Sequence, residues 1–187
     1  MKLNWIYVAS QIFVLGNYTF LAVSYFAKDK QQIVRWQTVA TMSNTFGYGL
    51  LGAWAGLAMC CIALVRNAYL AWDAKRHAAT DRITRHDVTF LIVVYAAVLV
   101  AAILTYNGPL SLLIVAAFAL QTFSIWQKRA HLYKFIGIPL ALLYMAYNAY
   151  VRSLFGTILE AVVLGAATVG YILDLKKSSR PPGATKP

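Results

Sequence analysis

Acidic residues are scarce in this chain. Asp and Glu number 6 against 17 Lys and Arg in 187 residues, and Glu160 is the single glutamate. Charged residues make up only 12% of the chain and hydrophobic residues 60%, whereas soluble domains have about 25% and 45 to 50%. A basic surface that binds nucleic acid needs solvent-facing helices or strands, but here the basic residues lie in short gaps between apolar runs. The composition predicts a membrane protein and argues against a nucleic-acid partner.

Cysteine and histidine are equally rare. Cys60 and Cys61 are neighbours in an apolar run, where successive helical side chains point about 100° apart and cannot form a disulfide. The histidines, His77, His86 and His131, lie in or beside charged loops, and the chain has no CxxC, HExxH or Gly-rich phosphate loop. Neither a metal site nor a cofactor is expected. Because a single in-span carboxyl without a nucleophile forms no catalytic constellation, the chain is not expected to be an enzyme.

Long apolar runs fill most of the chain. Each is close to the roughly 20 residues needed to cross a 30 Å hydrocarbon core. The first run is longer than the core of a signal peptide and most of its charge follows it, so it is interpreted as a retained helix. The prediction is an all-α, polytopic membrane protein with seven transmembrane helices, at residues of about 5–26, 33–51, 54–72, 88–106, 109–126, 135–151 and 154–173.

The basic residues alternate from gap to gap. Only Lys2 and Arg152 fall on one side, and the other side holds all the clusters. The positive-inside rule then predicts an outside N-terminus and a cytoplasmic C-terminus in the bacterial inner membrane, with the basic loops contacting anionic lipid. The cytoplasmic set is Lys28, Lys30, Arg35, Lys75, Arg76, Arg82, Arg85, Lys128, Arg129, Lys134, Lys176, Lys177, Arg180 and Lys186.

The pattern of loops and spans repeats after 100 residues. This shift lays Lys28 on Lys128 and the Gly56 entry to span three on the Gly156 entry to span seven. Two parallel three-helix bundles joined by a linker helix are typical of parallel-repeat transporters. The predicted division is a first unit at 1–72, a cytoplasmic loop and linker helix at 73–106, a second unit at 107–174, and a disordered Pro-, Ser- and Lys-rich tail at 175–187.

Five short motifs carry a family resemblance: GAWAG (52–56), VRNAY (65–69), NGPLSLL (107–113), WQKR (126–129) and GTILE (156–160). In this order and spacing the chain resembles the YgjV family of bacterial inner membrane proteins, which implies an inner-membrane location. Its layout is also similar to that of the SWEET and PQ-loop transporters and the KDEL receptor. SWEET-like proteins carry proline in several helices, whereas here only Pro139 lies within the compared spans. Pro139 predicts a kink in span six.

Polar side chains inside the spans are the candidate solute-binding residues. A charge at membrane depth costs about 2.5 to 3.5 kcal/mol on insertion scales, so its default interpretation is functional. Arg66 lies about 9 Å deeper than Glu160 along the membrane normal, so an ion pair needs offset helices or a bridging group. Cys60 is included because it is the counterpart of Glu160 in the 100-residue shift. The candidates are Glu160, Arg66, Asn67, Asn44, Asn148, Tyr144 and Cys60.

Each candidate also has a structural interpretation. Arg66 is close enough to the end of its span to extend its head group to the interface. Glu160 could be a hydrogen-bonded structural carboxyl, and the amides could form interhelical hydrogen bonds worth roughly 0.6 kcal/mol each. The favoured function is an inner-membrane transporter of a small polar or amphipathic solute, SWEET-like and proton-sensitive through Glu160. The alternative is a non-transporting receptor or assembly protein that acts through its cytoplasmic basic loops and has a tightly filled core.

Overall fold

The computed structural model describes residues 5–76, 84–104, 106, 111–150 and 152–178. Within these ranges the chain is all helical, with no strand. The helices are α1 (Trp5–Ser24), α2 (Lys30–Leu51), α3 (Trp54–Arg76), α4 (Arg85–Leu104), α5 (Ser111–Trp126), α6 (Ala130–Tyr150) and α7 (Leu154–Ser178).

The helices coincide with the predicted spans, but several extend further at one end. Asp29 begins α2 as an N-cap, since its carboxylate accepts from the backbone N–H of Gln32 at 2.8 Å. Residues 73–76, predicted as solvated loop, continue α3, and residues 175–178, predicted as disordered tail, continue α7. Hydropathy marks where a helix leaves the apolar layer, whereas the helix itself continues until a capping signal. Residues 85–87 of the predicted loop begin α4. Residues 77–83 of that loop and 179–187 of the predicted tail lie outside the described residues.

The outer surface of the bundle is apolar. Large side chains such as Leu104 and Leu154 are about four-fifths exposed, at 80% and 79%, which suits a lipid environment. Within the described residues, four helical segments are long and apolar enough to cross a membrane, and a shorter apolar segment covers most of α5. The four are Trp5–Ser24, Gly56–Lys75, Arg85–Leu104 and Leu154–Lys176. The fold is that of a helical membrane protein.

Neighbouring helices pack in chain order. In one half α2 contacts both α1 and α3, and in the other α6 contacts both α5 and α7. The halves meet where α1 contacts α7, while α4 packs against α3 and α5. The division into two units and a linker helix stays a prediction, and so does the superposition of the two units.

The turns at the ends of α2 and α6 share one geometry. Gly52 and Arg152, separated by 100 residues, both have left-handed backbones, with φ of 64° and 58°. The next N–H reaches back to the carbonyl of Tyr48 in the first turn, at 3.0 Å, and of Asn148 in the second, at 2.8 Å. Glycine adopts this helix-ending conformation readily, whereas an arginine pays a steric cost. The shared geometry supports the 100-residue repeat more directly than the few identical residues do.

Tyr25 fills a close contact between the two halves. The ring of Tyr25 lies against Gly137 of α6, and its backbone lies against Gly170 of α7. A Cβ atom at either glycine would overlap Tyr25. Small residues at such contacts let helices approach closely in a membrane. Tyr25 is itself 1% exposed and belongs to the main apolar cluster.

Candidate solute-binding cavity

A polar cavity of about 240 Å³ lies inside the bundle. Among the described residues, α1, α2, α3, α5, α6 and α7 all contribute to its wall. Most of the sequence-predicted candidates meet there: Glu160, Arg66, Asn44, Asn148, Tyr144 and Cys60. Asn67 lies behind the wall, where it binds Arg66. The fold therefore brings residues from four of the predicted spans to one place.

Arg66 is held against the wall by neutral partners. It is 1% exposed, so the interpretation that its head group extends to the interface is wrong. Its Nε and one Nη donate to Oδ1 of Asn67 at 3.1 and 3.0 Å, and the other Nη donates to the hydroxyl of Thr122 at 2.9 Å. The guanidinium also lies over the ring of Phe118, 5.4 Å from its centroid. No carboxylate in the described ranges forms an ion pair with Arg66.

Glu160 lies on another wall of the same cavity. It is 4% exposed, and its Oε1 accepts a hydrogen bond of 2.9 Å from the hydroxyl of Tyr18 on α1. No Lys or Arg of the described residues pairs with it. The predicted offset between Glu160 and Arg66 agrees with the absence of a direct ion pair between them. The cavity thus holds one acidic and one basic group, each bonded only to neutral partners.

Many lining residues are counterparts in the 100-residue shift. Both members are polar in two of the lining pairs, Asn44 and Tyr144 and Tyr48 and Asn148, but neither charge has a charged counterpart. Glu160 corresponds to Cys60, and Arg66 corresponds to the buried Ala166. One unit therefore supplies the positive group and the other the carboxyl. The lining pairs are Tyr18 and Phe118, Leu21 and Gln121, Asn44 and Tyr144, Tyr48 and Asn148, and Cys60 and Glu160.

Sequence reasoning missed several residues of the wall. The amides of Gln37 and Gln121 were detectable as polar groups within apolar runs, and they meet at 3.5 Å. Tyr18 had no distinguishing signal, because a tyrosine in an apolar run is equally suited to packing. Thr122, the partner of Arg66, was likewise indistinguishable from a threonine that bonds its own helix, which it also does through the carbonyl of Phe118.

A hydrogen-bonded tyrosine, Tyr133, lies between the cavity wall and one end of the bundle. This end holds the α1–α2 and α5–α6 connections, and we call it the inner end because it is predicted to face the cytoplasm. Gln37 of the cavity wall donates to the hydroxyl of Tyr133 at 2.6 Å, and that hydroxyl also bonds Ser24 at 2.6 Å. The rings of Tyr133 and Tyr25 stack with centroids 4.9 Å apart. This buried layer separates the cavity from the inner end.

An ionic cluster lies below that layer. The ammonium of Lys128, in the α5–α6 connection, is 2.7 Å from Asp73 of α3 and 3.4 Å from Asp87 of α4. Both carboxylates are buried at 2% exposure, so the expectation of a solvated loop is wrong for Asp73 and Asp87. Burial lowers the pKa of Lys128, but its hydrogen bond to Asp73 and the two negative charges outweigh that effect and raise it.

Two further contacts strengthen the inner end. Lys134 of α6, 2% exposed, is 2.6 Å from Asp174 of α7. Lys30 of α2 donates to the carbonyl of Trp126 at 2.9 Å. Ion pairs and hydrogen bonds therefore connect the helices that converge here, and α1 joins them through the hydrogen bond between Ser24 and Tyr133.

The matching family model covers residues 8–177, nearly the whole chain. The chain belongs to the Imp-YgjV family of bacterial inner membrane proteins. The resemblance inferred from the motifs is thereby confirmed. No curated protein and no solved structure matches the chain.

Membership in the Imp-YgjV family places the helices in the bacterial inner membrane, where the apolar surface of the bundle faces lipid. A second and larger cavity, of about 530 Å³, lies between α3 and α4 and is lined by Trp72, Phe90 and the ion-paired Asp73 and Asp87. It is the weaker candidate for a solute site, because its acidic groups are already satisfied by Lys128 and it lies between two neighbouring helices at the edge of the bundle.

Pro139 lies within α6 of this YgjV-family protein, and the helix runs through it from Ala130 to Tyr150. The proline therefore does not end the helix. A kink at this position stays a prediction.

Proposed function

We propose that this YgjV-family protein transports a small polar or amphipathic solute across the bacterial inner membrane. The observation that carries the proposal is the polar cavity inside the bundle, which holds Arg66 and Glu160 without a counter-charge from the described residues. Uncompensated polar groups within a membrane protein are costly, and they mark solute pathways. Transporters with parallel repeats bind their substrates near the midplane between the repeats.

The position of the cavity supports an alternating-access mechanism. Tyr48, Asn148 and Ile114 of its wall lie within one turn of the helix ends opposite the inner end. Toward the inner end the tyrosine layer and the ionic cluster intervene. This conformation is closed on the side predicted to be cytoplasmic. Rocking of the two units would separate Tyr133 from Ser24 and open the cavity to the cytoplasm.

Glu160 is the proton-sensitive group in this mechanism. A buried carboxyl can exist with or without a proton, and each state favours different ligands and conformations. Its only hydrogen bond from the described residues comes from Tyr18, so a proton or a cationic group can reach the other oxygen. Proton binding at Glu160 would thereby alter the affinity for solute.

The alternative function, a receptor or assembly protein acting through basic loops, receives less support. It predicts a filled core, whereas the bundle contains the polar cavity. It also acts through the basic loops, where Lys128 and Lys134 are engaged in ion pairs with buried or half-buried carboxylates, although Lys28, Arg35 and Lys75 are exposed.

Glu160→Gln tests the proposal. Solutes that stabilise the purified protein against heat are identified first, since a ligand that binds only the folded state raises its stability. Their uptake into proteoliposomes is then measured from pH 5 to 9. We expect the variant to fold and to lose the pH dependence of uptake. The control is Asp29→Asn, which removes a carboxyl outside the cavity and keeps a good helix cap. Parent-like uptake by the Glu160 variant at every pH would make Glu160 structural.

A further inference from the structure

The arrangement of Arg66 and Glu160 in the cavity indicates which class of solute it would bind. Arg66 has five N–H donors, and three of them are used by Asn67 and Thr122. Two N–H donors of this cavity-lining residue therefore remain for a ligand. A planar guanidinium with free donors matches a carboxylate, which accepts two parallel hydrogen bonds.

Glu160 is suited to bind a cationic group of the same ligand. The described residues provide its carboxyl with one hydrogen bond, from Tyr18, whereas a carboxylate has about four lone-pair positions. No cation from the described residues neutralises it. A ligand ammonium group with three N–H donors would satisfy this carboxylate.

The 100-residue repeat predicts that the two groups are separated along the bundle by a distance that a small molecule can bridge. Position 60 is the counterpart of position 160, and Arg66 lies six residues further along α3, or about 9 Å at the helical rise. Helical side chains lean toward the N-terminal end of their helix, so the long Arg66 side chain shortens this axial gap. The remaining space suits a short molecule together with one hydrogen bond of about 2.8 Å at each end.

Charge balance decides between ligand classes. When the Glu160 carboxyl is ionised and Arg66 is positive, the described residues of the cavity wall carry no net charge. A zwitterion leaves the cavity neutral and gives each group an opposite charge. An anion alone would place a second negative group beside Glu160, and a cation alone a second positive group beside Arg66. Burying an unpaired charge is strongly unfavourable.

We propose that the solute is a small zwitterion of amino-acid size, with its carboxylate on Arg66 and its ammonium group on Glu160. This inference rests on the proposed transport function and specifies its substrate class. The cavity volume of about 240 Å³ is below the roughly 300 to 1,000 Å³ of pockets for drug-sized ligands, which favours a molecule with few atoms. Asn44 and Asn148 line the same cavity, and their amides can bond polar atoms of the solute's side chain.

The test uses amino acids and matched compounds that lack one charge. Thermal stabilisation of the full chain is measured with the twenty standard amino acids, and with ethylamine, propionate and glucose. We expect at least one amino acid to raise Tm in a saturable manner. Ethylamine and propionate, which are alanine without its carboxylate and without its ammonium group, should have no effect at the same concentration.

Variants of Arg66 and Glu160 test which end of the solute each residue binds. Arg66→Gln should weaken amino-acid binding at least about thirtyfold, the effect of leaving one buried charge unpaired. Arg152→Gln, which neutralises an exposed arginine outside the cavity wall, should bind as the parent does. Glu160→Gln should weaken amino-acid binding and allow propionate to bind, because the repelling carboxylate is gone. Misfolding of the variant cannot produce this gain of propionate binding.

The outcomes separate this inference from the transport function. Stabilisation by glucose and by no amino acid would overturn the zwitterion assignment while transport stands. Equal binding of propionate and alanine by the parent protein would also overturn it. Absence of stabilisation by every amino acid refutes the assignment, and absence of uptake of any solute into proteoliposomes refutes the transport function as well.

Discussion

Removing the ammonium of Lys128 is expected to destabilise the protein strongly. This group is the cation shared by Asp73 and Asp87, at 2.7 and 3.4 Å. In Lys128→Ala both buried carboxylates lose that cation, and helices α3 and α4 lose their ionic connection to the α5–α6 connection. Breaking a buried pair by removing one partner costs about 3 to 5 kcal/mol. Because the Lys128 side chain is 11% exposed, water relieves part of this cost, and we expect about 3 kcal/mol.

The assay is equilibrium unfolding in mixed micelles, followed by circular dichroism. A loss of about 3 kcal/mol corresponds to a change of roughly a hundredfold in the unfolding equilibrium constant. The control is Lys28→Ala, an exposed lysine that forms no ion pair with the described residues. It should change stability by less than about 0.5 kcal/mol. Equal stabilities of the two variants would refute the view that the ionic cluster holds the inner end together.

The pH dependence of this contribution has a definite sign. The raised pKa of Lys128 means that the folded state binds its proton more tightly than the unfolded state does. The stabilisation is fully present below the ordinary pKa of 10.5 and is lost as the pH rises through the higher pKa of the folded state. The difference in stability between the parent and Lys128→Ala should therefore not decrease between pH 7 and 9. A steady decrease over that range would contradict the assignment of Lys128 as the cation.

Two other predictions concern packing and topology. Gly137→Ala places a methyl group on the ring of Tyr25 and should destabilise the protein by about 1 to 3 kcal/mol through overpacking. The control is Gly165→Ala, where a Cβ atom meets nothing within 4 Å, and it should be neutral or stabilise by about 0.5 to 1 kcal/mol. Equal effects of the two variants in a thermal-unfolding assay would contradict the close contact. Single cysteines at Gly108 and Ala79, both outside the described residues, should react with an impermeant thiol reagent from opposite sides of the membrane, and labelling from the same side would refute the topology.

Local sequence patterns were sufficient to predict the helices and the inventory of polar groups within them. Apolar runs of about 20 residues indicate transmembrane helices, and the seven predicted spans lie on the seven helices of the described residues. The 100-residue shift, visible in the loops, also predicted that Cys60 and Glu160 are equivalent, and both line the cavity. These inferences depend on hydropathy and spacing, which act within one segment of chain.

Tertiary structure decided which polar groups meet. Arg66 lies close enough to the end of its span to reach water, and only the rotation of α3 toward α5 places it beside Thr122 instead. Asp73 and Asp87 are in the most polar stretch of the chain, yet both are buried. They form an ionic cluster with Lys128, which is 55 residues away from Asp73 in the sequence. Helix rotation, tilt and depth are set by packing against all neighbouring helices at once. A sequence pattern within one helix therefore could not specify the walls of the cavity or the closure of its inner end.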